Sequence, residues 1–463
     1  MNVLMELPGI FQEASEKYRT LLTVNSPAEK AASVRRNGVR FVNGDLPAPE
    51  YENELVFGDN LDVLVNGLRS GALRSCIDLI YCDPPFFTRG ERAARLAVHS
   101  RRFPEIKELR VAAYNDSSRT GFREYLTDMT LRLMLMRDAL SETGSILIHL
   151  DSRAVHSVKL LMDAVFGEDH FINEIIWTYK SGGASGRYLA RKHDNILFYS
   201  KSEHYKFHVI REKSYNRGLK PYRFRGVEEF QDDIGWYTMV RQKDVWQVDM
   251  VGRSSRERLQ YATQKPEALL DRIITMTTDE GDLCADFYCG SGTLAASALR
   301  LGRHFLCVDQ TRLAVSNAMK RPLRDGHAFL LRQGAAQDDV NEDPVVNGFL
   351  DGALTARRKG GHIFLRPSAE PAGEKQAEGA GTTRIAAKAS DRLAILRAED
   401  PEALIDYWCI GSLEENGVFR CGRMIRRHGK EQIISAEAEP EDTHVWVADL
   451  CGGMTVIKIE NEE

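Results

Sequence analysis

The tetrad Asp83-Pro84-Pro85-Phe86 closes the apolar run Ile77-Asp-Leu-Ile-Tyr81, and its residue types suit one task. Two consecutive prolines offer no backbone N–H, so the carbonyls around them are left free to accept hydrogen bonds. The Asp83 carboxylate and the Pro84 carbonyl can then accept from the two hydrogens of a single NH₂ group, while Phe86 stacks on the aromatic ring that carries it. An amine on such a ring is a poor nucleophile because its lone pair is delocalised into the ring. Two acceptors drawing on its hydrogens favour a pyramidal nitrogen whose lone pair points at an electrophile. The plainer alternative is a Pro-Pro loop ending a strand, with Asp83 as a cap.

A second segment, Asp286-Phe287-Tyr-Cys-Gly290-Ser-Gly292-Thr293, follows another apolar run and opens a helical one over 294–301. Glycines at a strand-to-helix turn let a ligand lie against the helix N-terminus. The next apolar run ends at Asp309, where a carboxylate can accept from both hydroxyls of a ribose. Together these predict a nucleoside site. The turn contains no Gly-Lys-Ser/Thr, which disfavours a triphosphate-binding P-loop.

The elements that must position these residues are short β-rich runs separated by helical spacing. Besides the runs ending at Tyr81 and Phe287, they are Glu54-Leu-Val-Phe57, Ser145-Ile-Leu-Ile-His149, Asn173-Glu-Ile-Ile-Trp177, Asn195-Ile-Leu-Phe-Tyr199 and His304-Phe-Leu-Cys-Val308, with helices expected over 125–140 and 155–166. Buried strands alternating with helices predict the α/β class, a doubly wound and mostly parallel sheet. At 463 residues the chain exceeds the roughly 250–300 at which a single core stops growing, so further units are expected. A helical, polar extension is expected over 1–48. A Gly-, Ala- and Glu-rich stretch reads as a flexible linker over 366–390, and β-rich segments beyond it read as a small separate module over 391–463.

Composition narrows the class. Hydrophobic residues make up 43% and charged ones 28%, as in a soluble globular protein. No apolar run approaches the roughly 20 residues of a membrane helix, and no secretory signal is evident at the N-terminus. The 8 cysteines are scattered without a Cys-x-x-Cys pair, which predicts reduced thiols and a cytoplasmic location. Cys409, Cys421 and His428 lack zinc-site spacing and read as structural; no metal is expected. The net charge of -5 hides a dipole: Lys180 to Arg225 carries a local +9, leaving -14 elsewhere. Tyr188, Phe198, Tyr199, Tyr205, Phe207, Tyr215, Tyr222 and Phe224 are interleaved with those charges, a pattern suited to phosphate contacts with base stacking and equally found on a solvated surface.

Taken together, these segments resemble the amino-methylating DNA methyltransferases that use S-adenosylmethionine. Asp83, Pro84, Pro85 and Phe86 look like their catalytic motif, and 286–293 looks like their methionine-binding glycine loop. The catalytic motif comes first in the chain, the order of the circularly permuted β group, which includes type III modification subunits. The resemblance implies a seven-stranded methyltransferase fold with a catalytic half over 49–199, a target-recognition insertion over 200–260 and a cofactor half over 261–345. It assigns Asp286, Phe287, Gly290, Gly292, Thr293 and Asp309 to the cofactor. Asp59, in Phe57-Gly58-Asp59-Asn60-Leu61, would meet the cofactor adenine. In Tyr261-Ala-Thr263-Gln264-Lys265-Pro266, which leads into a helix with Pro266 at its first position, Thr263 and Lys265 are candidates for the methionine carboxylate. The segments 177–183 and 193–197 resemble the strand-turn-strand beside the target base, with Trp177 or Tyr179 as candidate pocket walls; for Trp177 the commoner role of a strand tryptophan, a place in the core, is the alternative.

The same resemblance implies transfer of a methyl group to N6 of adenine in double-stranded DNA by base flipping. A setting in restriction and modification goes with it. Lys180, Arg187, Arg191, Lys192, Lys220, Arg223 and Arg225 would contact DNA, and so would Arg89, with Arg92, Arg95, Arg101 and Arg102, just after the catalytic loop; a solvated helix face is the alternative for that group. A restriction or translocase subunit and a homodimeric state stand open as further partners. Cytosine-N4 methylation is the nearest alternative. A non-catalytic specificity subunit with a methylase fold is the alternative from another class. Carbon-5 methylation of cytosine is excluded, since it needs a nucleophilic cysteine after proline and the chain has no Pro-Cys pair.

Overall fold

Ile77–Cys82 is the strand around which the sheet is arranged, and all its side chains except Asp78 are buried. So continuous an apolar run is what a strand needs when it has parallel neighbours on both sides and helices on both faces. Leu283–Asp286 pairs parallel on one side, with Cys284 opposite Leu79, and Leu140–Leu150 pairs parallel on the other, with Ile80 opposite Ile146. Beyond Leu283–Asp286 come His304–Asp309, Glu54–Phe57 and Phe329–Gln333, all parallel. Beyond Leu140–Leu150 come His193–Ser200, antiparallel to it, and then Phe171–Thr178. The seven strands from Phe171–Thr178 across to Glu54–Phe57 form the expected doubly wound α/β sheet, with His193–Ser200 its single reversed member.

The computed structural model describes residues 3–23, 38–43, 53–87, 91–115, 121–180, 186–252, 254–259, 261, 263–333, 350, 352–368, 384–414, 418–427 and 433–462. Strand alternation divides the core between the two faces. Leu79 and Tyr81 pack with Leu269, Leu270, Ile273 and Ile274 of helix Glu267–Thr277. Ile80 and Cys82 pack on the other face with helices Asn60–Arg69, Phe122–Ala139 and Val155–Phe166. Pro266 is the cap of helix Glu267–Thr277, one position before the first helical turn that its sequence suggested. Among the described residues no helix is long and apolar enough to cross a membrane.

Three readings of the sequence change. The N-terminal extension is not all helical. Helix Val3–Thr23 covers Phe122–Ala139, where Tyr18 donates to Asp138 at 2.5 Å and Arg123 bonds Glu13 at 2.7 Å and Glu6 at 3.2 Å. Gly38–Asn43, in contrast, is a strand. It pairs antiparallel with Phe329–Gln333 on one side and parallel with Val418–Arg426 on the other. For that reason the C-terminal segment is not separate: its strands continue the central sheet, giving 17 strands in one sheet among the described residues. The junction is aromatic. Phe41 stacks on Phe329 at 4.9 Å and meets Trp446 edge-on at 4.8 Å, and truncating a ring buried in this way costs about 3–5 kcal/mol. Finally, strand His362–Pro367 and helix Arg384–Glu399 reach into the expected linker, of which 369–383 lie outside the described residues. Cys409 and Cys421 are buried free thiols, hydrogen-bonded side chain to side chain, and His428 is outside the described residues.

The segment after the catalytic loop is a β-hairpin, Glu91–Ala97 with Glu108–Asn115, and not a helix. Ala94, Leu96, Val98, Ile106 and Leu109 turn inward against Leu393, Leu396 and Leu404 of the C-terminal segment. Ser100 bonds Asp400, and Arg102 donates to the Glu399 carbonyl at 2.8 Å and pairs with its carboxylate at 2.9 Å. The C-terminal segment therefore buttresses the chain leaving the Asp-Pro-Pro-Phe tetrad.

Candidate active site

Four carboxylates stand at the carboxyl ends of four adjacent strands. Asp83 follows Ile77–Cys82, Asp286 ends Leu283–Asp286, Asp309 ends His304–Asp309, and Asp59 lies two residues past Glu54–Phe57. The register aligns them at one edge, with Asp286 opposite Cys307 and Asp309 opposite Phe57. Ligands bind at that edge in sheets of this kind. In this chain it opens into a cleft lined by Asp83, Pro84, Pro85, Phe86, Asp59, Thr263, Lys265, Asp286, Phe287, Gly290, Thr293 and Asp309. Every residue expected at the catalytic and cofactor sites lines this cleft except Gly292. That glycine has φ +70 and its Cα faces helix Arg312–Arg324, where a Cβ would come within 2.7 Å of Ala318 Cβ. Gly292 lets two helices approach; it does not touch the cleft.

The glycine loop is held from behind. Gly290 N–H donates to Asp309 Oδ2 at 3.0 Å, and a side chain at Gly290 would crowd Tyr261 at 3.2 Å. Asp309 Oδ1 accepts from both the N–H and the hydroxyl of Thr311, each at 2.9 Å. Gln310 N–H also bonds this carboxylate, so donors from its own loop and from the glycine loop engage most of the roughly four acceptor positions it offers. Asp59 caps helix Asn60–Arg69 through Leu61 N–H at 2.8 Å and meets Arg132 at 3.3 Å. Burial pushes the Asp286 carboxyl well above the ordinary aspartate range; the Tyr288 N–H bonded to it pulls the other way, and the charges of Asp83 and Asp309 add to the rise.

Asp83 sits differently. Its Oδ2 is bonded to Lys265 Nζ, while its Oδ1 is buried with no partner among the described residues. A buried acceptor left in that state costs roughly 1–3 kcal/mol unless water or a ligand satisfies it. Phe86 lies with one face toward the His149 imidazole, ring centres 6.1 Å apart and 24° from parallel.

Several residues in and behind the cleft carried no local sign in the sequence. Arg132, from the middle of Phe122–Ala139, bonds Asn60 Oδ1 at 2.7 Å, and Asn60 Nδ2 in turn donates to the Phe287 carbonyl at 2.7 Å. This chain ties the Asp59 helix to the glycine loop. Behind Phe86, Tyr81 meets His149 Nδ1 at 2.9 Å and His149 Nε2 meets Asp194 at 3.3 Å. Asp194 accepts only, so Nε2 carries the proton and Tyr81 donates to Nδ1. Burial alone would raise the Asp194 carboxyl, but His149, Lys265 and Tyr179 outweigh it and hold the group below its usual range. Trp177 is a core residue: it is 1% exposed, and its indole donates to the Val248 carbonyl at 2.8 Å. Neither Trp177 nor Tyr179 reaches the cleft wall, because both belong to the layer behind His149.

A family model described as DNA methylase, covering the N6 and N4 methyltransferases, matches residues 77–320. The chain belongs to this family. Its members take the methyl group from S-adenosylmethionine. The Type II methyltransferase M2.LlaDCHI of Lactococcus lactis subsp. cremoris is 26% identical over 284 residues, 60% of this chain and 92% of that protein. The Type II methyltransferase M2.DpnII of Streptococcus pneumoniae is 26% identical over 249 residues, 53% of this chain and 82% of that protein. Among solved structures, PvuII DNA methyltransferase (cytosine-N4-specific) aligns at TM-score 0.39 and 15% identity, over 61% of this chain and 87% of its own. The M1.HpyAVI–SAM complex aligns at TM-score 0.36 and 15% identity, over 58% and 98%.

In this DNA methylase the basic residues of the 180–225 region lie outside the cleft. Lys180 and Arg191 are exposed, the first 3.9 Å from Asp249 and the second over the Tyr188 ring at 5.4 Å. Arg187 is exposed and Lys192 half-buried. Lys220, Arg223 and Arg225 are exposed on the loop between Arg211–Tyr215 and Phe230–Gln231. These two strands pair with Trp236–Arg241 in a small sheet of their own. Tyr222 and Phe224 stand beside each other on the same loop, 42% and 62% exposed. Arg89 lies outside the described residues. Arg95 and Arg101 are exposed, and Arg102 is committed to Glu399.

The buried Asp286 gives the methylase a pH signature. A carboxyl whose folded value is raised contributes most stability below its ordinary value of 3.8, and that contribution is lost as pH rises through the folded value. Asp286→Asn keeps an acceptor for Tyr288 N–H without the charge. Urea unfolding between about pH 4 and pH 8 is expected to show the variant gaining on the wild type as pH rises. A difference that stays flat across that range contradicts the assignment.

Proposed function

We propose that this DNA methylase transfers a methyl group to the N6 amine of adenine in duplex DNA, with the target base turned out of the helix into the cleft. The observation that carries the proposal is Asp83, which lines the same cleft as the glycine loop and whose Oδ1 has no partner among the described residues. It is an acceptor in want of an N–H donor, close to where the cofactor loop turns. S-adenosylmethionine, when bound, supplies an electrophilic methyl group on a sulfonium. The residues suited to hold it are Asp309 for the ribose, Asp59 for the adenine, and Thr263 with the Thr293 end of helix Thr293–Arg300 for the methionine part. A cleft rimmed by acceptors, with Gly290 leaving its backbone open to it, suits a ligand of that polarity.

The chain's own part in the reaction is to bind, orient and polarise. Asp83 Oδ1 and the Pro84 carbonyl accept from the two amine hydrogens and draw the nitrogen out of conjugation. The face of Phe86 away from His149 stacks on the base. Extrusion of a paired base costs a few kcal/mol, and stacking together with the two hydrogen bonds offsets it. Adenine is favoured over cytosine because position 83 is Asp and not Ser. The tetrad preceding the glycine loop is read as a circularly permuted order, and the Type II relatives favour a modification enzyme of a restriction system. The exposed arginines and aromatics around Tyr222–Arg225 are read as DNA contacts of the target-recognition insertion.

Asp83→Ala is expected to lower methyl incorporation into duplex DNA by at least about 10³-fold while S-adenosylmethionine still binds within about threefold. Transfer that persists in the variant contradicts the assigned role. Mass analysis of the digested wild-type product is expected to show N6-methyladenine; N4-methylcytosine instead would reassign the base. Neutralising Arg223 and Arg225 is expected to weaken DNA binding and to reduce the slope of log Kobs against log salt by about 2. An unchanged slope removes both from the phosphate contacts.

A further inference from the structure

We infer that Lys265 is a positioning residue for Asp83, fixing the carboxylate with Oδ2 engaged and Oδ1 turned to the target amine. This rests on the proposed amine methylation and assigns Lys265 a partner other than the methionine carboxylate. Three observations carry it. Lys265 Nζ bonds Asp83 Oδ2, and the two side chains are only 11% and 18% exposed. The second oxygen of the same carboxylate has no partner among the described residues, although it is buried. The ammonium also stands over the Phe86 ring at 5.7 Å, so it touches both groups that would meet the base.

The chemistry makes such a residue necessary. The torsion that turns a carboxylate is soft, so an untethered Asp83 can present either oxygen or split its population between them. A cation on Oδ2 selects one orientation. Lys265 is placed to do this because its backbone is fixed: its carbonyl accepts from the Thr293 hydroxyl at 3.1 Å, and Pro266 is the helix cap immediately after it. The side chain thus reaches Asp83 from the stem of the cofactor loop itself.

The test is a split between binding and chemistry in two variants. Lys265→Met removes the charge and keeps the aliphatic stem; Lys265→Arg restores a charge. Single-turnover transfer to duplex DNA is measured at saturating S-adenosylmethionine, alongside the cofactor Kd by calorimetry and thermal melting of each protein. Lys265→Met is expected to slow transfer about 10- to 100-fold with the cofactor Kd within about threefold, and Lys265→Arg to recover most of the loss. A saturated rate within about twofold of wild type in Lys265→Met overturns the inference, whether or not cofactor binding weakens. So does a loss that Lys265→Arg leaves in place. If Lys265→Met melts early, Lys265→Gln against Lys265→Arg carries the same comparison. Wild-type protein run in parallel separates the two levels: no transfer from wild type overturns the proposed activity and the Lys265 role with it, whereas an active wild type with an unimpaired variant overturns the Lys265 role alone.

Discussion

The parallel pairing of Ile77–Cys82 with Leu283–Asp286 is the constraint on which the rest depends. The two strands are some two hundred residues apart in the chain, yet Cys284 lies opposite Leu79 and Ala285 opposite Ile80, so Asp83 and the glycine loop leave the sheet side by side. A pairing slip of one residue in either strand would turn Leu79 and Tyr81 to the wrong face and part the two loops. The apolar continuity of both strands is what opposes such a slip, since each face has its own core to fill. Function at this edge is therefore a consequence of packing on both sides of the sheet.

Once the strand ends are aligned, electrostatics decides what the cleft can do. Acidic side chains at four adjacent strand ends would repel one another if all were ionised. Burial instead favours the neutral form of Asp286 and lifts Asp309, while the N–H groups of Gly290 and Thr311 draw Asp309 back. Asp83 has a lysine on one oxygen and, among the described residues, nothing on the other. The same cleft thus separates its acids by environment: one neutral and structural, one tied to backbone donors, one capping a helix, and one left as a ready acceptor. Behind them Tyr81, His149 and Asp194 form a buried chain under Phe86, with each proton placed by the carboxylate at its far end.

Much of this was legible in the sequence, for a physical reason. Asp83 to Phe86 and Asp286 to Thr293 act through local geometry, proline carbonyls and a glycine turn, and local geometry is written in consecutive residues. The central strands were legible because burial on both faces leaves an uninterrupted apolar run. The features that escaped depend on distant partners. Arg132 looks like an ordinary helix residue until Asn60 and Asp59 fold against it. His149 ends an apolar run like any strand residue, and only the pairing with 193–200 brings Asp194 to it. Gly38–Asn43 carries apolar Val39, Phe41 and Val42, but its polar surroundings hid it, and with it the continuity of the C-terminal strands with the central sheet. Trp177 could have been read as a wall of the base pocket or as a core residue, and its indole, bonded to a backbone carbonyl, makes it the latter.

The central claim is that donor and acceptor share one cleft, and the most direct measurement of it is the affinity of a bisubstrate compound. Such a compound joins the N6 nitrogen of adenosine through a short tether to the position of the sulfonium methyl in an S-adenosylmethionine analogue. If Asp83 and the glycine loop face one cavity, the joined compound binds at least about 10²-fold more tightly than the untethered analogue, because the second contact becomes intramolecular. Equal or weaker binding of the joined compound would mean that the two loops serve different sites, and would contradict a shared cleft for donor and acceptor.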